Sequence, residues 1–488
     1  METLKEKTAK GLFWGGLSNL TQQALGLVFG ILLARQLDAY DFGMTAMLVI
    51  FSVIANELQA SGFKTGLINM KSPTHDDYNA VFWFNIVAGL VIYVVLFFSA
   101  PLIAAYYRIP ELIPLARYVF LGFVFSSFGM AQSAYLTKNL QIKKIAWCGM
   151  TATLLSSLTG VCMAFLDFGY WSLATQSVLY IALNTMLLWR FSPWRPTLHF
   201  TFEPIRRLFP FSVRLMLSAI LTQFNTYVMN ILLGRYYGAR STGYYNQAFQ
   251  WSSKCFQLVQ SMMKQVDQPV LVGLQDERER QLNVLRKMMR FTAFVSFPLL
   301  LGLGLVSYEF IVIAIKIKWA ASAELLPYLC LCGAFMPISG LLSDAIITHH
   351  RSDIYLWTTL ALGACATVLL VLLKPYGIRN MVIAYAVLNI VWVFVWHFFV
   401  YRLMRYTLWA FLKDTMPFFT IAAGVMIVTG LATGWIVSLP LLLAARIVLA
   451  CTLYYTVMKL LHVQILADCL AFFVKLRSWN TETQRHRD

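Results

Sequence analysis

Apolar residues run through this chain in blocks of about twenty or more, separated by short polar or basic clusters. The blocks fall at 11–33, 44–68, 80–104, 113–137, 146–166, 170–190, 210–233, 243–270, 291–315, 324–347, 354–373, 378–400, 414–436 and 439–460. A helix needs about 20 mostly apolar residues to cross a bilayer, whereas a barrel strand needs about 9–11. The pattern therefore predicts an all-α polytopic membrane protein of about fourteen transmembrane helices and excludes a closed barrel.

Some blocks carry an ordered polar face. In 243–270, Asn246, Gln247, Gln250, Lys254, Gln257, Ser261, Lys264, Gln265 and Gln268 all fall within an arc of about 100° at the helical step. Hydrocarbon would leave such groups unsatisfied, so the stripe is expected to line a water-filled cavity. Glu57, Ser61 and Lys64 stand at i, i+4 and i+7, hence on one face, and Arg214, Ser218, Thr222, Asn225 and Thr226 share a face of the seventh block. In the first block Ser18, Asn19 and Gln22 lie among Gly15, Gly26 and Gly30, whose small size is expected to allow close helix packing. The last two blocks are almost wholly apolar and are expected to be peripheral.

Composition agrees with the pattern. Of 488 residues, 59% are hydrophobic and 12% charged, with mean hydropathy +0.66. Soluble domains are about 45–50% apolar and about 25% charged, which excludes an ordinary soluble enzyme, a disordered chain and a disulfide scaffold. Seven of the eight cysteines lie in apolar blocks and read as small core residues. No metal-ligand cluster, phosphate-cradling glycine loop or nucleophile elbow is found, so neither a metal nor a cofactor is expected.

The net charge of +17 needs placing. Nucleic acid is not an expected partner, because no soluble domain exists to carry a groove reader. With the N-terminus inside, 24 of the 39 Lys and Arg fall in inner segments, among them Arg286 and Arg290, 8 in outer loops and 7 within spans. That bias predicts both termini in the cytoplasm.

An internal repeat is visible at an offset of 200 residues. Ile31-Leu32-Leu33-Ala34-Arg35 recurs as Ile231-Leu232-Leu233-Gly234-Arg235, and Ala39 and Gly43 recur as Ala239 and Gly243. Across 17–64 against 217–264 there are 14 identities in 48 positions, including Lys64 and Lys264. Both copies enter from the same side, which predicts a parallel repeat with its axis along the membrane normal. The expected organisation is an N-terminal lobe at 1–190, a cytoplasmic linker at 191–209, a C-terminal lobe at 210–400, two further helices at 401–460 and an amphipathic tail at 461–488 on the inner membrane face.

The candidate substrate-binding residues are Lys64, Arg214, Lys254 and Lys264, with Asn225, Gln250, Gln257, Ser261 and Gln265 as candidate polar lining. A positive field in a low-dielectric cavity selects an anion, and phosphate is well matched to Lys and Arg. Glu57 is the clear opposing charge and the candidate coupling residue for H+ or Na+. Glu309 and Asp344 are expected to cap helices or to pair locally.

Several runs resemble bacterial polysaccharide flippases of the Wzx-like kind, within the multidrug/oligosaccharidyl-lipid/polysaccharide exporter superfamily. They are Lys10-Gly11-Leu12-Phe13-Trp14, Ala34 to Gly43, Ser61 to Ile68, Gly234-Arg235-Tyr236-Tyr237-Gly238 and Thr242 to Ala248. The resemblance implies two pseudo-symmetric six-helix lobes, two extra C-terminal helices and an inward-open cationic cavity. It also implies a non-enzymatic exporter of lipid (undecaprenyl) pyrophosphate-linked oligosaccharide at the bacterial inner membrane. Its expected partners are that anionic cargo, membrane lipids and, as a candidate, the polysaccharide polymerase machinery. A multidrug antiporter of the same superfamily and a membrane-embedded polymerase or glycosyltransferase are the alternatives.

Overall fold

The structure, a computed structural model, describes residues 4–60, 63–198, 203–264, 267–274 and 277–466. Every regular element among them is helical: α1 (Leu4–Gln36), α2 (Ala39–Ala60), α3 (Phe63–Asn69), α4 (His75–Tyr107), α5 (Leu112–Ser127), α6 (Met130–Lys138), α7 (Ile142–Phe165), α8 (Tyr170–Phe191), α9 (Glu203–Lys264), α10 (Asp267–Gly273), α11 (Arg278–Leu305), α12 (Ser307–Ile315), α13 (Ala320–Thr348), α14 (Ser352–Leu373), α15 (Ile378–Met404), α16 (Leu408–Thr433) and α17 (Leu439–Leu460).

Ten of the described helices are long and apolar enough to cross a membrane, and α5 with α6, bent by 44°, makes an eleventh as one broken span. The lower number than expected has a local cause. Blocks 170–190 and 243–264 are helical as α8 and the second part of α9, but polar residues dilute their apolar signal, while block 210–233, in the first part of α9, is only partly covered by described side chains. Within α9 the helix breaks at Gly238, whose φ of 78° lies in the left-handed region that a side chain disfavours. The N-terminus of α4 is fixed by a capping box: Thr74 Oγ1 accepts from the Asp77 amide while the Asp77 carboxylate accepts from the Thr74 amide.

Packing divides the chain into two compact units, Met1–Asn246 and Gln247–Asp488. In the first, Gln59 on α2 is buried, donates to the Phe123 carbonyl (2.9 Å) and accepts from Ser126 (2.6 Å), tying α2 to α5. The segment after α8 is strapped to α4: Trp194 is buried with Tyr78 and Phe82, and Asn79 accepts from the Thr197 amide. The start of the expected linker is thus packed structure.

The repeat meets itself inside this unit. A Cβ added at Gly43 would lie 1.7 Å from the Ala239 carbonyl oxygen, and one added at Gly243 would lie 1.8 Å from that of Ala39. Ala39 and Ala239, like Gly43 and Gly243, are equivalent under the 200-residue offset, so the two contacts are reciprocal, as a local two-fold requires. Gly234 next to this crossing holds the Tyr107 ring, which a Cβ would meet at 2.6 Å. By contrast, nothing comes within 4 Å of a Cβ at Gly26 or Gly30, so close packing does not explain those two glycines of α1.

In the second unit, α11 packs on α13 through small residues and hydroxyls. Ser296 donates to the Ala334 carbonyl (2.8 Å), and Ser252 on α9 donates to that of Leu329 (2.9 Å). The helices expected to be peripheral carry a heavily bonded carboxylate. Asp414 on α16 is fully buried and receives Arg286 Nε (2.6 Å), Arg290 Nε (2.6 Å) and the Tyr406 hydroxyl (2.9 Å). Arg286 and Arg290, counted above as loop charges, lie within α11 because that helix begins at Arg278, well before its apolar block. The tail from residue 467 onward, with its expected amphipathic segment, lies outside the described residues.

Candidate transport site

The second half of α9 carries the polar stripe. Its first members are used in packing: Asn246 and Gln247 are buried, and Asn230 donates to Asn246 at 3.5 Å. Further along, Gln250, Gln257, Ser261 and Lys264 are exposed. Lys254 is half-buried, with its ammonium 4.8 Å from the centre of the Trp251 ring, and Trp251 in turn meets Phe310 edge to face. A cation over an aromatic face is attracted by the ring quadrupole, which supports a lysine at this depth. The ten residues from Lys254 to Lys264 separate the two charges by about 15 Å along the axis.

The other expected residues stand as follows. Glu57 on α2 is half-buried and its Oε1 accepts from Gln223 Nε2 at 3.1 Å, so the carboxylate is held by a neutral amide of α9. Asn225, two residues on, is half-buried and also partnered. Lys64 is on α3 and Arg214 on α9, but their side chains lie outside the described residues, as does Gln265 entirely.

Two features escaped the sequence reading. The first is a buried ion pair in the second unit: Arg446 on α17 donates to Glu309 Oε1 at 2.6 Å and to the Leu305 carbonyl at 3.1 Å. Glu309, expected to cap a helix or pair locally, is paired instead with a residue 137 positions away. The second is a cavity of about 600 Å³ among α11, α16 and α17, walled by Phe294, Pro298, Met426, Ile447, Tyr454 and other apolar side chains. Arg446 is the one charged residue among the described residues lining it. An amphipathic period could not reveal either, since apolar positions facing a cavity and those facing lipid look alike along the chain.

These features define a class: a multi-pass helical membrane protein. Among solved structures, the chain is similar to a lipid II flippase, MurJ, in an inward closed conformation, with TM-score 0.73 and 16% identity over 93% of this chain and 99% of that one. It is also similar to an inward-facing multidrug-resistance transporter of the MATE family, with TM-score 0.62 and 14% identity over 83% and 96%. At such identities the likeness is one of fold.

The family follows from sequence. Residues 32–324 match the polysaccharide biosynthesis protein family, and the chain belongs to it. Its relatives include the lipopolysaccharide biosynthesis protein WzxC of Escherichia coli, 27% identical over 72% of each chain. Another is the teichuronic acid biosynthesis protein TuaB of Bacillus subtilis, 23% identical over 88% of this chain and 89% of the relative. The resemblance to Wzx-like flippases drawn from the motifs is borne out.

Proposed function

We propose that this protein flips lipid-pyrophosphate-linked oligosaccharide repeat units across the bacterial inner membrane, with both termini in the cytoplasm, by alternating access. The observation that carries the reading is the exposed run Gln250, Gln257, Ser261 and Lys264 on a helix of an otherwise apolar protein. Such groups facing acyl chains would each cost several kcal/mol, on the order of the penalty for an unsatisfied polar group in hydrocarbon. They therefore face water and the polar head of a cargo. Lys64, Arg214, Lys254 and Lys264 take its pyrophosphate through charge-assisted hydrogen bonds. The cavity beside α17 takes part of the polyprenyl chain, whose chemistry matches its walls. Glu57 is the coupling carboxylate, with Gln223 holding it in the state described.

Family membership supports this reading, as does the name of the MurJ neighbour. The test is the double reversal Lys64→Glu with Lys264→Glu, with membrane expression checked by immunoblot. Surface polysaccharide is expected to fall severalfold while lipid-linked intermediates accumulate. Unchanged surface polysaccharide would remove these lysines from the transport path.

A further inference from the structure

The polar residues of α1 are not used in the function proposed above, and the structure gives them a place. In the first unit they open onto a chamber of about 590 Å³ between α1, α7 and α8. Ser18, Asn19, Gln22 and Gln23 line it from α1, Thr153 from α7, and Tyr180 and Asn184 from α8. Among the described residues that line it there is no Asp, Glu, Lys or Arg. The volume falls in the range of about 300–1,000 Å³ usual for small-molecule sites.

Polar residues between membrane helices often serve as glue, and part of this set does. Gln22 donates to Ser18 (2.9 Å), accepts from Thr153 (3.4 Å) and lies against Gly149, where an added Cβ would meet its Nε2 at 3.0 Å. That arrangement pins one wall. The side chains of Asn19, Gln23, Tyr180 and Asn184 make no hydrogen bond to another described residue, yet all border the space. They leave amide donors, amide acceptors and a phenol unused around one volume.

The composition of the wall selects the ligand. A charged group would enter a chamber with no counter-charge, which is costly at membrane depth. An apolar group would strand the amides. A neutral polyol satisfies both conditions, because each sugar hydroxyl donates and accepts, as does each Asn or Gln side chain taken whole. Where α1 and α7 begin, the same seam changes character. There Lys10, Lys143 and Lys144 line a second cavity of about 520 Å³ with Trp14, and the Lys143 ammonium sits 5.0 Å from that ring's centre. Ile142 borders the chamber and its neighbours Gln141 and Lys143 border the basic cavity, so the two lie next to each other along α1 and α7.

We infer that the chamber between α1, α7 and α8 is a saccharide-binding site for neutral sugar residues, with the lysine-lined mouth beside it accepting an adjoining anionic group. The inference rests on the flippase reading only for the source of the sugar.

The test uses the full chain in lipid nanodiscs and three probes. They are polyprenyl-pyrophosphate-linked oligosaccharide extracted from a host lacking this protein, the oligosaccharide released from it by mild acid, and sugar-free polyprenyl monophosphate. Tyr180→Phe combined with Asn184→Leu removes two groups without internal hydrogen bonds, so the helices should keep their packing. Size-exclusion and thermal profiles check this. Losing two neutral hydrogen bonds should weaken both sugar-bearing probes by roughly tenfold, leaving the monophosphate unchanged. Unaltered affinity for the sugar-bearing probes overturns the inference, and so does an equal loss on all three. If wild-type protein binds the released oligosaccharide but neither lipid, and the variant loses it, the chamber stands and the flippase reading fails.

Discussion

Gly43→Ala and Gly243→Ala are each expected to eliminate folded, functional protein, although each adds a single methyl group. The added carbon would sit 1.7 Å from the Ala239 carbonyl oxygen in the first variant and 1.8 Å from that of Ala39 in the second. Ordinary carbon–oxygen contact is about 3.4 Å or more, and the obstacle here is backbone, which has no rotamer to change. Overpacking a core costs roughly 1–3 kcal/mol when side chains can give way, and this site should exceed that range. The helices α2 and α9 would have to part at the point where the two copies of the repeat cross. Fluorescence-detected size exclusion of membranes solubilised after expression measures the loss. Gly26→Ala is the matched control, since nothing lies within 4 Å of its added carbon. It should express normally. A monodisperse Gly43→Ala protein that still supports surface polysaccharide would show the crossing to be looser than described.

Asp414→Ala should destabilise the second unit by about 1.5–3 kcal/mol, the range for lost hydrogen bonds to a charged group, because the arginines left behind are partly exposed and can be rehydrated. The carboxylate is fully buried and bridges two guanidinium groups, with Arg286 contributing Nε at 2.6 Å and Nη2 at 3.2 Å and Arg290 contributing Nε at 2.6 Å. Its removal leaves two adjacent cations without a counter-ion and the Tyr406 hydroxyl without its acceptor. Arg286→Met should cost less, because Arg290 and Tyr406 still satisfy Asp414. Thermal unfolding in detergent, read as the loss of soluble monodisperse protein, ranks the two variants. Equal stability of Asp414→Ala and wild type would mean that the cluster is solvated and adds nothing to the attachment of α16 to α11.

The two buried ion pairs of the second unit differ from what the chain shows when read residue by residue, and in the same way. Asp414 and Arg286 are 128 positions apart, and Glu309 and Arg446 are 137. Arg286 and Arg290 precede an apolar block, so a reading based on hydropathy leaves them in a loop. The helix begins earlier, at Arg278, and Asp414 of α16 bonds both arginines. Likewise Asp414 looks like a boundary residue of a purely apolar pair of helices. It is instead the residue that fastens one of them.

The repeat illustrates the division more sharply. Its existence, its offset and the equivalence of Ala39 with Ala239 and Gly43 with Gly243 are legible in the chain. Nothing in the identities says that these four residues touch. The glycines of α1 show the reverse case: Gly26 and Gly30 invite a packing interpretation, but the space beside them is open, while Gly149 on α7 receives the Gln22 amide.

The amino-acid sequence alone determined that this protein is helical, that it lives in a membrane, that it is built on a duplication and that it belongs with polysaccharide flippases. These properties follow from hydrophobic period, segment length, local motif and the recurrence of motifs, all of which can be read along the chain without knowing which residues touch. Only the tertiary structure decided which groups meet: Gly43 with the Ala239 carbonyl, Asp414 with two arginines, and Gln22 of α1 with Thr153 of α7. Burial in a membrane protein must satisfy each polar group, and the partner that does so is chosen by three-dimensional proximity, which no local pattern encodes.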